Sequence, residues 1–486
     1  MKAAAAASGA HFPLLVAGTE DTGGRLEVSA PYDGQPIATV ATADGPAADR
    51  ALEVAYGLAR DRDAWLPPWR RLEILERTAE LMRRQSAELA VEAAREGGKP
   101  LADSQVEVAR AIDGVRECVE TLRTHAGKEI PMRLNPASAG RLAVTVHEPI
   151  GVVVAISAFN HPLNLIVHQV APAVATGCPC IVKPSEDTPL SCFRFVGLLR
   201  EAGLPEEWCQ ALTVNEVAVA TRLASDSRVG FFSFIGSARV GWMLRSQLAP
   251  GARCALEHGG AAPVVVAEDA DLEALLPLLA KGGFYHAGQV CVSVQRVFAH
   301  EKVADRLAEG LAELAGQQRI GDPTREDTDV GPLIRHPEAA RVAEWVEEAA
   351  AQGGRVLGGG RRISDSCYAC TVIADPPPEA RVSCQEIFGP VICVYRYRDM
   401  DEALVRANSL PYAFQAAVFT RDLDRALRAA KRLDASAVMI NDHTAFRVDW
   451  MPFAGLRQSG LGVGGIPHTM RDMQVEKMLV FRSPEW

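Results

Sequence analysis

Apolar positions along this chain follow two rhythms. Over residues 68–96, Leu72, Leu75, Ala79 and Met82 recur at helical spacing among Arg and Glu, which predicts one amphipathic helix or two. Helical character continues to about residue 126, and 141–147 then alternates as a strand does. After Pro149-Ile150-Gly151 the rhythm changes to short apolar runs at Val152–Ile156, Cys180–Lys183, 231–235 and 264–266, with helical stretches between them. A parallel strand covered by helices on both faces has no solvent side to make polar, so such runs predict βαβ units. A second series follows at 391–395, 417–419 and 438–440, and Leu423, Leu427, Ala430 and Leu433 mark a helix before the last run. The expected fold is α/β, with two doubly wound parallel-sheet domains and an N-terminal helical segment joining the first.

Composition narrows the class. A length of 486 residues fits two large domains or three of ordinary size. With 48% hydrophobic and 23% charged residues, the chain is neither disordered nor fibrous nor membrane-embedded. A net charge of −10 disfavours nucleic acid and anionic lipid as partners. The start, Met1 to Ala7, resembles a leader, but Ser8, His11 and Pro13 interrupt its apolar core and Glu20-Asp21 follow, so a cytoplasmic protein is expected. Eleven scattered cysteines, mostly in apolar segments, fit reduced, buried thiols.

Several motifs are structural on local grounds. The run Gly460-Leu-Gly462-Val-Gly464-Gly465 matches a dinucleotide fingerprint in letters only. Only 21 residues remain after Gly465 and Pro467 follows almost at once, too little for the βαβ unit that such a fingerprint needs, so it reads as a loop. Cys367-Tyr-Ala-Cys370 has no second pair at metal-ligand spacing, and Cys178-Pro-Cys180 leads straight into a strand. No metal is expected.

Other motifs carry candidate chemistry. Cys291 follows Gly288-Gln289-Val290, where a backbone N–H beside a nucleophile can serve an oxyanion. Glu257 stands before Gly259-Gly260 at a strand end and can act as a base. Asn160 follows a buried strand, where ligands bind in α/β sheets. Lys183 and Glu186 share a Pro-fixed turn fit to grip a ribose. Gly236-Ser237 precedes a helix and offers a phosphate seat. Glu386-Ile387-Phe388-Gly389-Pro390 completes the set. Taken singly, each also reads as an ordinary turn or a buried thiol.

Read in order and spacing, AFNHP, KPSE, FIGS, LEHGG, GQVC, EIFGP and PFAGLRQSGLG resemble the aldehyde dehydrogenase superfamily from about residue 20 to the C-terminus. The resemblance implies NAD(P)-dependent oxidation of an aldehyde to a carboxylate through a cysteine thiohemiacetal and thioester. It implies Cys291 as nucleophile, Glu257 as the base that activates water, and Asn160 with the Cys291 N–H as oxyanion donors. Lys183 and Glu186 match adenosine-ribose contacts, Gly236 and Ser237 the pyrophosphate turn, and Glu386 and Phe388 the nicotinamide-ribose end. Glu186 would repel a 2′-phosphate, which favours NAD, with NADP accommodated by Lys183. The family arrangement implies a cofactor domain of 1–127 and 148–258, a catalytic domain of 259–470, and an oligomerisation flange of 128–147 and 471–486. A homodimer or homotetramer is therefore expected. Two departures stand out: His258 replaces the usual Leu, and Phe159 the usual Trp.

Arg110, His161 and Arg447 form the expected substrate pocket, suited to an aldehyde with a second, anionic group, because arginine offers a fork of donors. The runs NDHTAFRVDWMPFAG and GGIPHTMRDM resemble phosphonoacetaldehyde dehydrogenases, although Val290 stands where relatives that bind such anions often have Arg. Sulfoacetaldehyde, lactaldehyde, succinate semialdehyde, glyceraldehyde 3-phosphate and neutral aldehydes are the alternatives, with Arg447 paired to Asp449 or Asp442 as the structural one. A CoA-acylating enzyme is disfavoured by Glu257, and a catalytically silent structural protein by the presence of Cys291, Glu257 and Asn160.

Overall fold

The computed structural model describes residues 9–19 and 21–486. The Ala-rich start considered as a leader, with Ser8 and Glu20, lies outside the described residues. The helical periodicity resolves into two helices, Pro68–Arg84 and Ser86–Gly97, followed by Leu101–Thr124. Ahead of them stands an element the pattern did not predict, a three-stranded sheet of Ala10–Phe12, Pro36–Ala41 and Arg25–Ser29. Its strands run from three to six residues, too short for even the alternation in Arg25–Ser29 to establish a period. Among the described residues, no helix is long and apolar enough to cross a membrane.

Two open sheets form the body. In the first, the order is Gly460–Leu461, Arg253–Glu257, Val229–Ile235, Val152–Ile156, Cys180–Lys183, Cys209–Ala211; all but Gly460–Leu461 run parallel. In the second, the order is Arg355–Gly358, Thr371–Ala374, Val391–Tyr397, Val294–His300, Ala262–Val266, Gln415–Phe419, Ala437–Ile440; only Arg355–Gly358 is antiparallel. Helices cover both sheets and bury Val, Ile, Phe and Ala against them. The chain passes between the sheets in the short segment His258-Gly259-Gly260-Ala261. This sets the C-terminal strand ends of the first sheet against the N-terminal strand ends of the second. Parallel sheets place ligand sites at such ends.

A third sheet joins Glu129–Ile130, Arg141–Pro149 and Gln474–Arg482. The last strand starts four residues earlier than the apolar run 478–482 suggests, because Gln474 already pairs with Pro149. Met478, Val480 and Phe481 on this strand are exposed. The glycine run near 460 departs from a plain loop: Gly460–Leu461 pairs antiparallel with Leu256-Glu257 and closes the edge of the first sheet beside Glu257.

Candidate active site

Most of the sequence-derived residues sit at or near strand ends facing the gap between the sheets, while Arg110 lies on the helix Leu101–Thr124 and Arg447 on the loop after Ala437–Ile440. Lys183 and Glu257 are the last residues of their strands; Gly236 follows Val229–Ile235, and Asn160 lies just past Val152–Ile156. From the other side, Cys291 precedes Val294–His300, and Glu386 and Phe388 precede Val391–Tyr397. With Glu186, Ser237, Arg110, His161 and Arg447, they all line one cavity of about 930 Å³.

The turn ahead of Cys291 is strained. His286 (φ 49°), Ala287 (φ 54°) and Gly288 (φ 69°) are consecutive left-handed residues, at a cost of roughly 1–2 kcal/mol for each non-glycine residue. Tertiary bonds hold it. Gln289 donates to the carbonyls of His286 (3.3 Å) and Pro332 (3.2 Å) and accepts from Ile334 N–H (2.9 Å). Asn160 Nδ2 donates to the Gln289 carbonyl at 2.9 Å. Past the nucleophile, Thr444 Oγ1 donates to the Val292 carbonyl at 2.7 Å and ties the C-terminal loop to the same turn.

Glycines clear space for the two carboxylates. A Cβ on Gly464 would lie 2.2 Å from Glu257 Oε1, and one on Gly259 within 2.1 Å of the Glu386 carboxyl. Glu386 accepts from the Gly260 N–H at 3.0 Å.

Burial dominates the electrostatics. It pushes the Cys291 thiol up to about 12, with Arg447 pulling it down and Glu257 and Glu386 adding to the rise. Burial raises Glu257, opposed by Arg447, and raises Glu386 to about 7, opposed by the Gly260 N–H and Arg341. The Arg447 guanidinium is therefore the cation that favours charge on both Cys291 and Glu257.

At one end of the cavity, Val214, Val217 and Ala220 face Val240, Met243 and Leu244 across an apolar slot suited to a flat base. Lys183 forms an ion pair with Glu186 at 2.5 Å. Ser237 caps the helix Ala238–Arg245 without a side-chain bond, which leaves its first amides open. His258, one of the departures, fits because Gly241 lacks a side chain: a Cβ there would lie 1.9 Å from the His258 ring. Its Nδ1 meets the Gly236 carbonyl at 3.0 Å and its Nε2 has no partner. Phe159, the other, meets Phe388 edge-on at 5.9 Å.

The other end differs from the expected cluster of three cations. Arg110 is committed to Asp449 through Nε–Oδ2 (3.0 Å) and Nη2–Oδ1 (2.7 Å). Asp449 thus pairs with Arg110, not Arg447. Burial opposes that carboxylate, yet bonds from His168 (2.7 Å) and Arg110 hold it far below the ordinary carboxylate range. His161 accepts from buried Lys99 at Nδ1 (2.6 Å), and burial plus the Lys99 charge depress it well below the usual histidine range, so it is neutral. Lys99 is itself paired with Glu107, which also accepts the N–H groups of Leu163 and Asn164 at 3.0 Å each and so fixes the helix beginning beside Asn160. Of the two arginines, Arg447 has no carboxylate in contact among the described residues. Its guanidinium stacks on Phe453 at 3.6 Å, and its Nε is buried and unbonded in a half-buried side chain.

Lys99, Glu107 and His168 escape the motif reading, while Phe453 lies inside the run PFAGLRQSGLG without being singled out. Lys99 carried a signal, a lysine after two glycines and before a proline that starts a helix. His168, in the otherwise apolar helix Asn164–Thr176, carried a weaker one.

Comparison with known proteins gives the family. The model of the aldehyde dehydrogenase family matches residues 18–479. A 3-sulfolactaldehyde dehydrogenase of Priestia aryabhattai is 35% identical over 471 residues, 97% of this chain and 98% of that protein. Aldehyde dehydrogenase 21 of Physcomitrella patens, solved with the reaction product succinate, superposes with a TM-score of 0.93 at 34% identity, covering 97% of this chain and 98% of that one. A glyceraldehyde-3-phosphate dehydrogenase of Methanocaldococcus jannaschii, solved with NADP, gives a TM-score of 0.89 at 33% identity, covering 94% and 99%. The chain belongs to the aldehyde dehydrogenase family.

Proposed function

We propose that this enzyme oxidises a small aldehyde bearing a second, anionic group to the carboxylate, using NAD(P)+ and a cysteine thioester. The observation that carries the substrate class is Arg447, a half-buried guanidinium with no carboxylate in contact among the described residues, in the same cavity as Cys291 and Glu257. Glu257 and Asp449 attract it without touching it, and an anionic substrate in direct contact would offset the cost of its partial burial. The names of the sulfolactaldehyde and succinate-bound relatives support the same class. Phosphonoacetaldehyde stays within it, beside 3-sulfolactaldehyde and succinate semialdehyde.

Cys291 would attack the aldehyde carbon as its thiolate. A thiol at about 12, with Arg447 already pulling it down against burial, is protonated at rest; the Arg447 charge lowers the cost of ionising it. Asn160 spends one amide hydrogen on the Gln289 carbonyl. The other is free for the oxyanion, beside the Cys291 N–H. The apolar slot, the Lys183–Glu186 pair, the open amides after Ser237 and the Glu386 carboxylate suit a dinucleotide lying from adenine to nicotinamide. When bound, NAD(P)+ supplies the hydride acceptor. Glu257, its basicity raised by burial, would then take a proton from the water that hydrolyses the thioester. The unpaired face of the strand Gln474–Arg482 supports assembly of copies into a dimer or tetramer.

The test is a panel of phosphonoacetaldehyde, 3-sulfolactaldehyde, succinate semialdehyde, lactaldehyde, glyceraldehyde 3-phosphate and propanal, each with and without CoA, with Cys291→Ala as the blank. The expected result is a kcat/KM for one anionic aldehyde about 100-fold above propanal, roughly 2.7 kcal/mol, without a CoA requirement. Propanal performing as well as the anions would overturn the substrate class.

A further inference from the structure

His168 stands between the two arginines of the substrate end. It is 5% exposed, on a helix that is otherwise mostly apolar. Its Nε2 lies 2.7 Å from Asp449 Oδ1, and its Nδ1 lies 3.4 Å from Arg447 Nη2. These partners fix the proton. Asp449 only accepts, so Nε2 carries the hydrogen; a guanidinium only donates, so Nδ1 presents its lone pair. An imidazolium here would press an N–H against an N–H. The ring is therefore the neutral Nε2–H form, and burial with the neighbouring Arg447 charge supports this by depressing it to about 4.

The consequence is a partition of charge. Asp449 Oδ1 also takes Arg110 Nη2 and the Asn164 amide (3.2 Å), and Oδ2 takes Arg110 Nε. Among the described residues, every bond to this carboxylate comes from Arg110, Asn164 or His168. Arg447 receives a neutral acceptor in place of a carboxylate, and the Phe453 face sets its plane. Without the ring, nothing would separate Arg447 from Asp449, and the arginine could turn away from the cavity to pair with it.

We propose that His168 is a specificity-determining positioning residue, an uncharged imidazole that holds Arg447 toward the cavity and apart from Asp449, keeping the arginine's charge available to an anionic aldehyde. This rests on Arg447 as the anion receptor. The test measures kcat and KM for propanal and for whichever of phosphonoacetaldehyde, 3-sulfolactaldehyde and succinate semialdehyde is turned over best, in the wild type, Arg447→Met, His168→Leu, His168→Asn and His168→Gln. In His168→Leu, KM for the anion should rise about tenfold or more while KM for propanal stays within about threefold; kcat should fall by a similar factor with both aldehydes, because an Arg447 turned to Asp449 no longer lowers the Cys291 thiol. His168→Asn, which keeps an acceptor near the Nδ1 place, should restore most of the affinity. If His168→Leu does not fold, Asn against Gln reads the same point: Gln moves the amide to the Nε2 place and should have the higher KM. Unchanged anion KM in His168→Leu, an equal rise in KM with both aldehydes, or equal KM in Asn and Gln overturns the proposal. A wild type without preference for the anion, or an Arg447→Met that keeps it, overturns the receptor reading itself and is distinguishable because no His168 variant is involved.

Discussion

At the cofactor end of the cavity, backbone does most of the shaping: strand ends, the open amides after Ser237, and glycines that make room for Glu257, Glu386 and His258. At the substrate end, buried and half-buried charged side chains do it, through Lys99–Glu107–His161 and Arg110–Asp449–His168–Arg447. A dinucleotide is large and offers many contacts, so shape suffices there. A small aldehyde offers few atoms, so a single charge in a dry site has to discriminate. The difference teaches how to read the two arginines. Arg110 is neutralised by Asp449, while Arg447 is held by a neutral ring and an aromatic face; the proposed function makes the first a strut and the second a receptor.

The largest effects lie where the two ends meet. Cys291→Ala should lower turnover by about 10⁴-fold or more while leaving cofactor binding intact, measured by steady-state rates and by cofactor titration. Glu257→Gln should cost about 10²–10³ in steady turnover yet keep a first-turnover burst, because only thioester hydrolysis needs the base; rapid-mixing kinetics checks it. A variant without the burst would place Glu257 before the thioester.

The arginines separate next. Arg447→Met should cost the anionic aldehyde about 100-fold in kcat/KM with little change in melting temperature. Arg110→Met should do the reverse in kind. It strands the buried Asp449 carboxylate, so about 2–4 kcal/mol of stability should go, seen in chemical denaturation. The same drop in both variants would erase the distinction between strut and receptor.

Two smaller effects follow. Burial holds the Cys291 thiol near 12 and Arg447 pulls it down, so iodoacetamide alkylation should accelerate about tenfold per pH unit below that value. Arg447→Met should slow it at fixed pH, because losing the cation raises the thiol further. At the far end, Glu186 is already paired with Lys183, so Glu186→Gln should move the NADP-to-NAD preference by only about tenfold.

Legibility differed between the two ends in the same way. The strand runs at Val152–Ile156 and Cys180–Lys183 and the motif residues beside them were readable, because buried strands write continuous apolar stretches and turns write glycine and proline. The three-stranded sheet opening at Ala10 was not, since its strands are too short to establish a period. The substrate end shows the same limit. Arg110, His161 and Arg447 could be named from the chain, but not that Asp449 takes Arg110 or that Lys99 takes His161. Those pairings join residues 339 and 62 positions apart and depend on the docking of helices. Glycines 259 and 464 stood out as turn residues, while their clearance for carboxylates is visible only in three dimensions.

The most direct test is a crystal structure of Cys291→Ala with the best anionic aldehyde of the panel. The account predicts the anionic group on the Arg447 guanidinium, the aldehyde carbon over residue 291, and the Arg110–Asp449 pair intact. An anion bound to an Arg110 that has left Asp449, or an anion pointing away from both arginines, would contradict it.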